Sequence, residues 1–166
     1  MKGNKIRVIF VCLGNICRSP LAEAIFMHKV KKAGLESEIT CSSAGTAHWH
    51  IGEPPDTRTI EVAGNHGVPI NHRGNQLKPA DYNEFDYFIA MDRDNYRDIR
   101  MILKNMKDGP SVHMMREFDN KKSLLDVPDP YYGDMEDFEN VFRILDESCD
   151  NFIEFLKEEH KLSPSR

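Results

Sequence analysis

The chain has 166 residues, of which 40% are hydrophobic and 30% charged, with a formal net charge of −5. That size and composition suit one globular domain over residues 1–166, and the acidic balance argues against nucleic acid as a partner. No apolar run reaches the ~20 residues needed to cross a bilayer, so no membrane span or membrane partner is expected.

The basic start Met1–Lys5 leads into only a short apolar stretch, which reads as a first core strand rather than a signal peptide. In chain order, the first strand is expected near Ile6–Val11. A helix from about Pro20 to Lys32 carries Leu21, Ile25, Phe26 and Val30 on one stripe and stops at Gly34. A second strand is expected near Ile39–Ser43. Pro54-Pro55-Asp56 precedes a helix near Thr57–Asn65, and a third strand follows near Tyr87–Met91. Asp94–Met106 reads as a helix with Tyr96, Ile99, Ile102 and Leu103 on its apolar face. A fourth strand is expected near Val112–Met115. The last helix carries Phe138, Val141, Phe142, Leu145, Cys149, Phe152, Ile153 and Leu156 at helical spacing, so Cys149 belongs to the core. Strands alternating with helices predict an α/β fold of three layers, with a parallel sheet covered on both faces. Ligands of such folds bind beyond the carboxyl ends of the strands, where Cys12 stands.

The richest segment is Cys12-Leu13-Gly14-Asn15-Ile16-Cys17-Arg18-Ser19-Pro20, between the first strand and the first helix. A helix N-terminus offers unpaired N–H groups and a partial positive charge, which bind oxyanions and favour a thiolate. Arg18 adds a planar fork suited to two phosphate oxygens. A buried strand-end Cys is often a plain small hydrophobe, but that leaves the polar turn and the Arg-Ser-Pro helix start unexplained. A nucleotide-binding loop would need Gly-Lys-Ser/Thr at the helix start, which is absent. Cys12 and Cys17 lack a second Cys or His pair at ligand spacing, so neither metal nor other cofactor is expected. The run therefore points to a cysteine nucleophile inside a phosphate cradle formed by Leu13, Gly14, Asn15, Ile16, Cys17 and Arg18. Asn15 and Gly14 are the candidates for left-handed backbone that turns N–H groups inward. Ser19 fits a helix N-cap or a hydroxyl donor to the thiolate.

These residues, with Ser42-Ser43-Ala44-Gly45-Thr46, Gly52-Glu53-Pro54-Pro55-Asp56, Ala90-Met91-Asp92 and Val127-Pro128-Asp129-Pro130-Tyr131, resemble the low-molecular-weight protein tyrosine phosphatases in order and over nearly the whole chain. The resemblance implies a four-stranded sheet with the phosphate loop after its first strand. It implies a phosphocysteine intermediate on Cys12, and phosphotyrosine-containing proteins as substrates with inorganic phosphate as product. It also implies that Ser43 and His72 join Asn15 in a polar network supporting the loop. Gly74 and Asn75, after His72, depart from the small and basic residues more common there. On spacing alone Asp129 fits a plain Asp-Pro turn as well as a general acid, and the resemblance implies the acid. Asp126 is a weaker candidate, and Asp92 a structural support. Trp49, Tyr131 and Tyr132 are candidate walls for an aromatic phosphoester. Ile16 stands where phosphoarginine phosphatases of this fold carry Thr, which favours phosphotyrosine. Cys17 is either a buried support or a thiol that captures oxidised Cys12 as a disulfide. A reactive thiol fits a reducing compartment, so the protein is expected in the cytoplasm as a monomer or weak dimer. Competing readings are an arsenate reductase, for which relay cysteines near residues 80 to 90 are missing, and a non-catalytic phosphotyrosine-binding module.

Overall fold

The computed structural model describes residues 5–104, 111–123 and 125–164. Segments rich in β-branched, aromatic and small apolar residues form β1 (Ile6–Cys12), β2 (Ile39–Gly45), β3 (Tyr87–Ala90) and β4 (Ser111–Met114). They pair in parallel, in the order β2-β1-β3-β4. The amphipathic segments form α1 (Arg18–Lys32), α2 (Thr57–Asn65), α3 (Arg93–Ile102) and α4 (Met135–His160). Parallel neighbours need crossover connections, and right-handed crossovers fix the face on which each helix lies. The step from β1 to β2 runs one way along the sheet, and the step from β3 to β4 runs the other. Helices α1 and α3 therefore cover opposite faces. The α1 side also receives α2 and α4 and holds the larger core, whereas Ile99 and Leu103 of α3 belong to a smaller one. This is the expected three-layer α/β arrangement with a four-stranded parallel sheet.

Side chains of β1 alternate between the two cores. Val8, Phe10 and Cys12 go to the larger one, Ile9 and Val11 to the smaller. The thiol thus faces the layer that contains α1. The predicted α4 stripe is buried along its whole length, Cys149 included. Phe152 of α4 stacks on Phe26 of α1 at 5.4 Å between centroids and meets Phe10 of β1 edge-on at 6.4 Å. Lys29 reinforces the pair with Nζ contacts of 2.9 Å to Asp146 and 2.8 Å to Asp150. No helix among the described residues is long and apolar enough to cross a membrane.

Several boundaries differ from the sequence expectation. Helix α1 begins at Arg18, ahead of Pro20, because the phosphate loop feeds directly into its first turn. Cys17, not Ser19, is its N-cap and supplies no side-chain cap. Strand β2 continues past Ser43 to Gly45, where its partner is Cys12. Strand β3 ends at Ala90, one residue before the expected Met91. Helix α3 starts at Arg93 because Asp92 caps it, accepting from the Asn95 N–H at 2.7 Å. It closes at Leu103, short of the predicted Met106; Asn105 and Met106 lie outside the described residues. Strand β4 starts one residue early, and Met115 opens a 3₁₀ turn instead of extending the strand.

The sheet order reverses around β1 and β3. In open α/β sheets the crevice at the carboxyl ends of such strands is where ligands bind. Cys12 is the last residue of β1.

Candidate active site

Residues 13–17 carry the chain from β1 into α1. Asn15 turns the loop in the left-handed region, at φ 58°. A short polar side chain that bonds locally is among the few that tolerate this conformation. Its amide donates to Ser19 Oγ at 2.8 Å and to Ser43 Oγ at 3.0 Å. Its carbonyl accepts from His72 Nε2 and from the Asn75 N–H, both at 2.9 Å. Glu23 closes the network, taking Ser43 Oγ at 2.6 Å and lying 3.3 Å from His72 Nδ1. Ser19 Oγ lies 2.9 Å from Cys12 Sγ. Asn15 donates into Ser19, which leaves the hydroxyl proton for the sulfur of a Cys12 thiolate or for the Ala44 carbonyl at 3.5 Å. The Asn15 N–H also points at the sulfur, at 3.3 Å. Ser19, Ser43 and His72 thus share one hydrogen-bonded network with Asn15.

Glycine serves this loop by close approach as well as by torsion. Gly14 is not in the left-handed region, contrary to expectation; a Cβ there would sit 3.2 Å from the His50 ring. A Cβ on Gly45 would come within 2.6 Å of the Leu13 carbonyl oxygen, so only glycine lets β2 lie this close to the loop. A Cβ on Gly74 would collide with the His50 carbonyl. The segment of Gly74 and Asn75 therefore supports the site through its backbone. Asn75 donates to Asn15, and its carbonyl accepts from the Gly45 N–H at 2.8 Å.

Arg18 is buried in the first turn of α1. Its Nη1 donates to Asp92 Oδ2 at 2.8 Å and to the Val127 carbonyl at 2.9 Å, and its Nη2 lies 3.9 Å from Asp129 Oδ2. Asp92 is thus both the cap of α3 and the anchor that aims the guanidinium. Burial works against the Arg18 charge, but Cys12, Asp92 and Asp129 together raise its pKa above the ordinary value. Asp126 is elsewhere, paired with Arg93 at 3.3 Å. The Cys17 thiol is pushed up to about 12, by burial first and then by the negative charges of Asp56 and Cys12. Burial likewise raises Cys41 and Cys149.

Cys12, Leu13, Gly14, Ile16, Cys17 and Arg18 line one side of a pocket of about 210 Å³. Trp49, His50, Asp129, Tyr131 and Tyr132 line the rest. Its size is below the roughly 300–1,000 Å³ of sites for drug-sized ligands. Trp49 is 60% exposed and Tyr132 93%, with Tyr131 edge-on to Tyr132 at 4.9 Å between centroids. Neither tyrosine is a core residue. Asp129 is half exposed, and its Oδ1 accepts from the Tyr131 N–H at 3.1 Å.

Sequence reasoning brought the loop, the arginine and the carboxylate to one pocket. It missed His50, Glu23 and Arg58. Glu23 lies on α1, five residues after Arg18, and looks like any solvated helix carboxylate. Arg58 lies next to the recognised Pro54-Pro55-Asp56 run, but nothing local shows that it reaches residues 131 and 133.

The family model for low molecular weight phosphotyrosine protein phosphatase matches residues 7–162. The low molecular weight phosphotyrosine protein phosphatase of Saccharomyces cerevisiae is 42% identical over 142 residues, covering 84% of this chain and 88% of its own. The crystal structure of a protein tyrosine phosphatase from Entamoeba histolytica superposes with a TM-score of 0.87 at 36% identity, covering 95% of this chain and 100% of that one. A Drosophila arginine phosphatase reaches a TM-score of 0.84 at 31% identity, covering 92% of this chain and 98% of its own. The cysteine at the end of β1, its loop and these matches agree: the chain belongs to the low molecular weight phosphotyrosine protein phosphatase family.

Proposed function

We propose that the enzyme hydrolyses phosphotyrosine in proteins through a phosphocysteine on Cys12. One observation carries this reading: Cys12 Sγ sits 2.9 Å from Ser19 Oγ, before the uncapped start of α1, with Arg18 and Asp129 on the same pocket. Cys12 attacks phosphorus, so that an S–P bond forms as the bond to the phenolic oxygen breaks. The loop N–H groups of residues 13–18 and the free edge of Arg18 hold the equatorial oxygens, and such preorganised donors are a leading contribution to catalysis. Asp129 gives its proton to the departing phenolate. It then takes a proton from the water that attacks phosphorus, which breaks the S–P bond and releases inorganic phosphate and the Cys12 thiolate. Ser19 stabilises that thiolate, while Asn15, Ser43 and His72 keep the loop in shape. Trp49, Tyr131 and Tyr132 flank the phenyl ring.

The Drosophila relative is an arginine phosphatase. Ile16 favours tyrosine here, because it puts hydrocarbon rather than a hydroxyl on the pocket wall. For Cys17, the high thiol pKa keeps it protonated and out of the phosphoryl chemistry. If a peroxide converts Cys12 to a neutral sulfenic acid, the Cys12 charge that helps hold Cys17 protonated is removed, and Cys17 gives up its proton and attacks the sulfenic sulfur, so that a disulfide forms and water leaves. Such thiols fit a reducing compartment, which supports reading the enzyme as cytoplasmic; we read it also as a monomer or weak dimer.

The test is hydrolysis of p-nitrophenyl phosphate and a phosphotyrosine peptide, in EDTA and reductant. Cys12→Ser should be inactive yet still bind phosphate. Asp129→Asn should lose on the order of 10²–10⁴ in rate on the peptide. Substantial turnover by Cys12→Ser would end the phosphocysteine reading.

A further inference from the structure

We infer that Arg58, held by Asp56, is a positioning residue for Asp129. The inference rests on the general-acid reading above. Asp56 sits at the start of α2, and its N–H donates to the Ile16 carbonyl of the phosphate loop at 2.9 Å. Its carboxylate caps α2, accepting from the Arg58 N–H at 2.9 Å. The same carboxylate takes Arg58 Nε at 3.0 Å and Nη2 at 2.9 Å, a two-pronged grip on one guanidinium. That hydrogen bonding holds the Asp56 carboxyl below its ordinary pKa.

The outer edge of the fork reaches the loop that carries Asp129. Nη2 donates to the Tyr131 carbonyl at 2.9 Å, and Nη1 to the Gly133 carbonyl at 3.2 Å. The guanidinium carbon also lies 4.5 Å from the Phe138 ring centroid and 5.7 Å from that of Tyr131. Tyr131 is the residue whose N–H holds Asp129 Oδ1 at 3.1 Å. Upstream, the loop is fixed at Val127, whose N–H donates to Met91 and whose carbonyl takes Arg18. Downstream of Asp129, Arg58 provides the matching hold. A continuous path thus runs from the Ile16 carbonyl through Asp56 and Arg58 to Tyr131 and Asp129, joining phosphate cradle to acid. Lysine could not replace this arginine, since a point charge cannot grip a carboxylate with two prongs while capping two carbonyls.

A residue that positions the acid should matter in proportion to the proton its substrate needs. The experiment measures kcat/KM for p-nitrophenyl phosphate, whose weakly basic leaving group needs the proton less, and for phenyl phosphate, whose strongly basic leaving group needs it more. Wild type is set beside Arg58→Met, Arg58→Lys, Asp129→Asn and the Arg58→Met/Asp129→Asn double variant. Arg58→Met should slow phenyl phosphate on the order of 10-fold and p-nitrophenyl phosphate by distinctly less, as misplacing a general acid does. Arg58→Lys should show the same trend at smaller size. Adding Arg58→Met to Asp129→Asn should change nothing further, and inhibition by inorganic phosphate should be unaltered in the single Arg58 variants. An equal fall on both substrates, no fall in either Arg58 variant, or a multiplicative loss in the double variant overturns the inference. Asp129→Asn alone reports on the acid itself: if it shows no dependence on the leaving group, the general-acid reading fails first and takes this inference with it.

Discussion

Replacing Asn15 separates the torsion of the phosphate loop from its hydrogen bonds. In Asn15→Ala, Ser19 keeps Cys12, and Ser43 and His72 keep Glu23. The Asn75 N–H loses its acceptor. That bond is part-buried, so losing it costs about 0.5–1.5 kcal/mol. Holding alanine at the φ of 58° adds its own penalty, about 1–2 kcal/mol. The expected loss for Asn15→Ala is therefore about 1.5–3.5 kcal/mol. Asn15→Gly loses the same hydrogen bonds but accepts the torsion, at the expense of a more disordered unfolded chain worth about 0.5–1 kcal/mol. Glycine should accordingly be the less damaging change, by up to about 1.5 kcal/mol. Urea unfolding gives both values, and competitive inhibition by inorganic phosphate reports the cradle, which should weaken in both variants. If alanine is as stable as glycine, the left-handed turn is not the reason for Asn15. If both lie within about 0.5 kcal/mol of wild type, the buried network contributes no more than an ordinary surface position.

Gly45→Ala should cost about 1–3 kcal/mol in urea unfolding and weaken phosphate inhibition, because its methyl meets loop backbone that has to move. Ile16→Thr should raise activity on phosphoarginine relative to phosphotyrosine; an unchanged ratio removes Ile16 as the discriminating residue. Stability should also fall as pH rises from 9.0 toward about 12, because folded Cys17 keeps a proton that the unfolded chain has released. Its raised pKa stabilises the fold fully below that window, so Cys17→Ala should flatten its own share of the decline in urea midpoint against pH. An identical decline in Cys17→Ala would show that the thiol is not held protonated.

What could be read from the sequence was whatever is local or periodic. The apolar run of β1, the Cys-to-Arg spacing and the α4 stripe each declare themselves within a few turns of chain. Asp129 became legible as an acid only through the family resemblance, since its flanking prolines fit a plain turn equally well. The supports did not, since each joins distant segments. Glu23 reaches Ser43 and His72, and Arg58 reaches across to residues 131 and 133. Gly14 was misread because a glycine in a turn suggests torsion, whereas here its role is contact with His50. Helix starts shifted for local reasons: Asp92 caps α3 from the residue just before it, and the phosphate loop runs into α1 at Cys17 with no side-chain cap.

Because Cys17 offers no side-chain cap, the first turn of α1 keeps its N–H groups for an oxyanion instead of spending them on the fold. Folding and occupancy of the cradle are then thermodynamically linked. Any phosphate that fills the cradle adds RT ln(1 + [L]/Kd) to stability, about 2.7 kcal/mol at a hundred times its Kd. The reaction product therefore protects the enzyme that makes it, and the melting temperature should climb with phosphate concentration. An organic sulfonate buffer that fits the cradle would have the same effect, so the medium chosen for an unfolding measurement sets part of the value it returns.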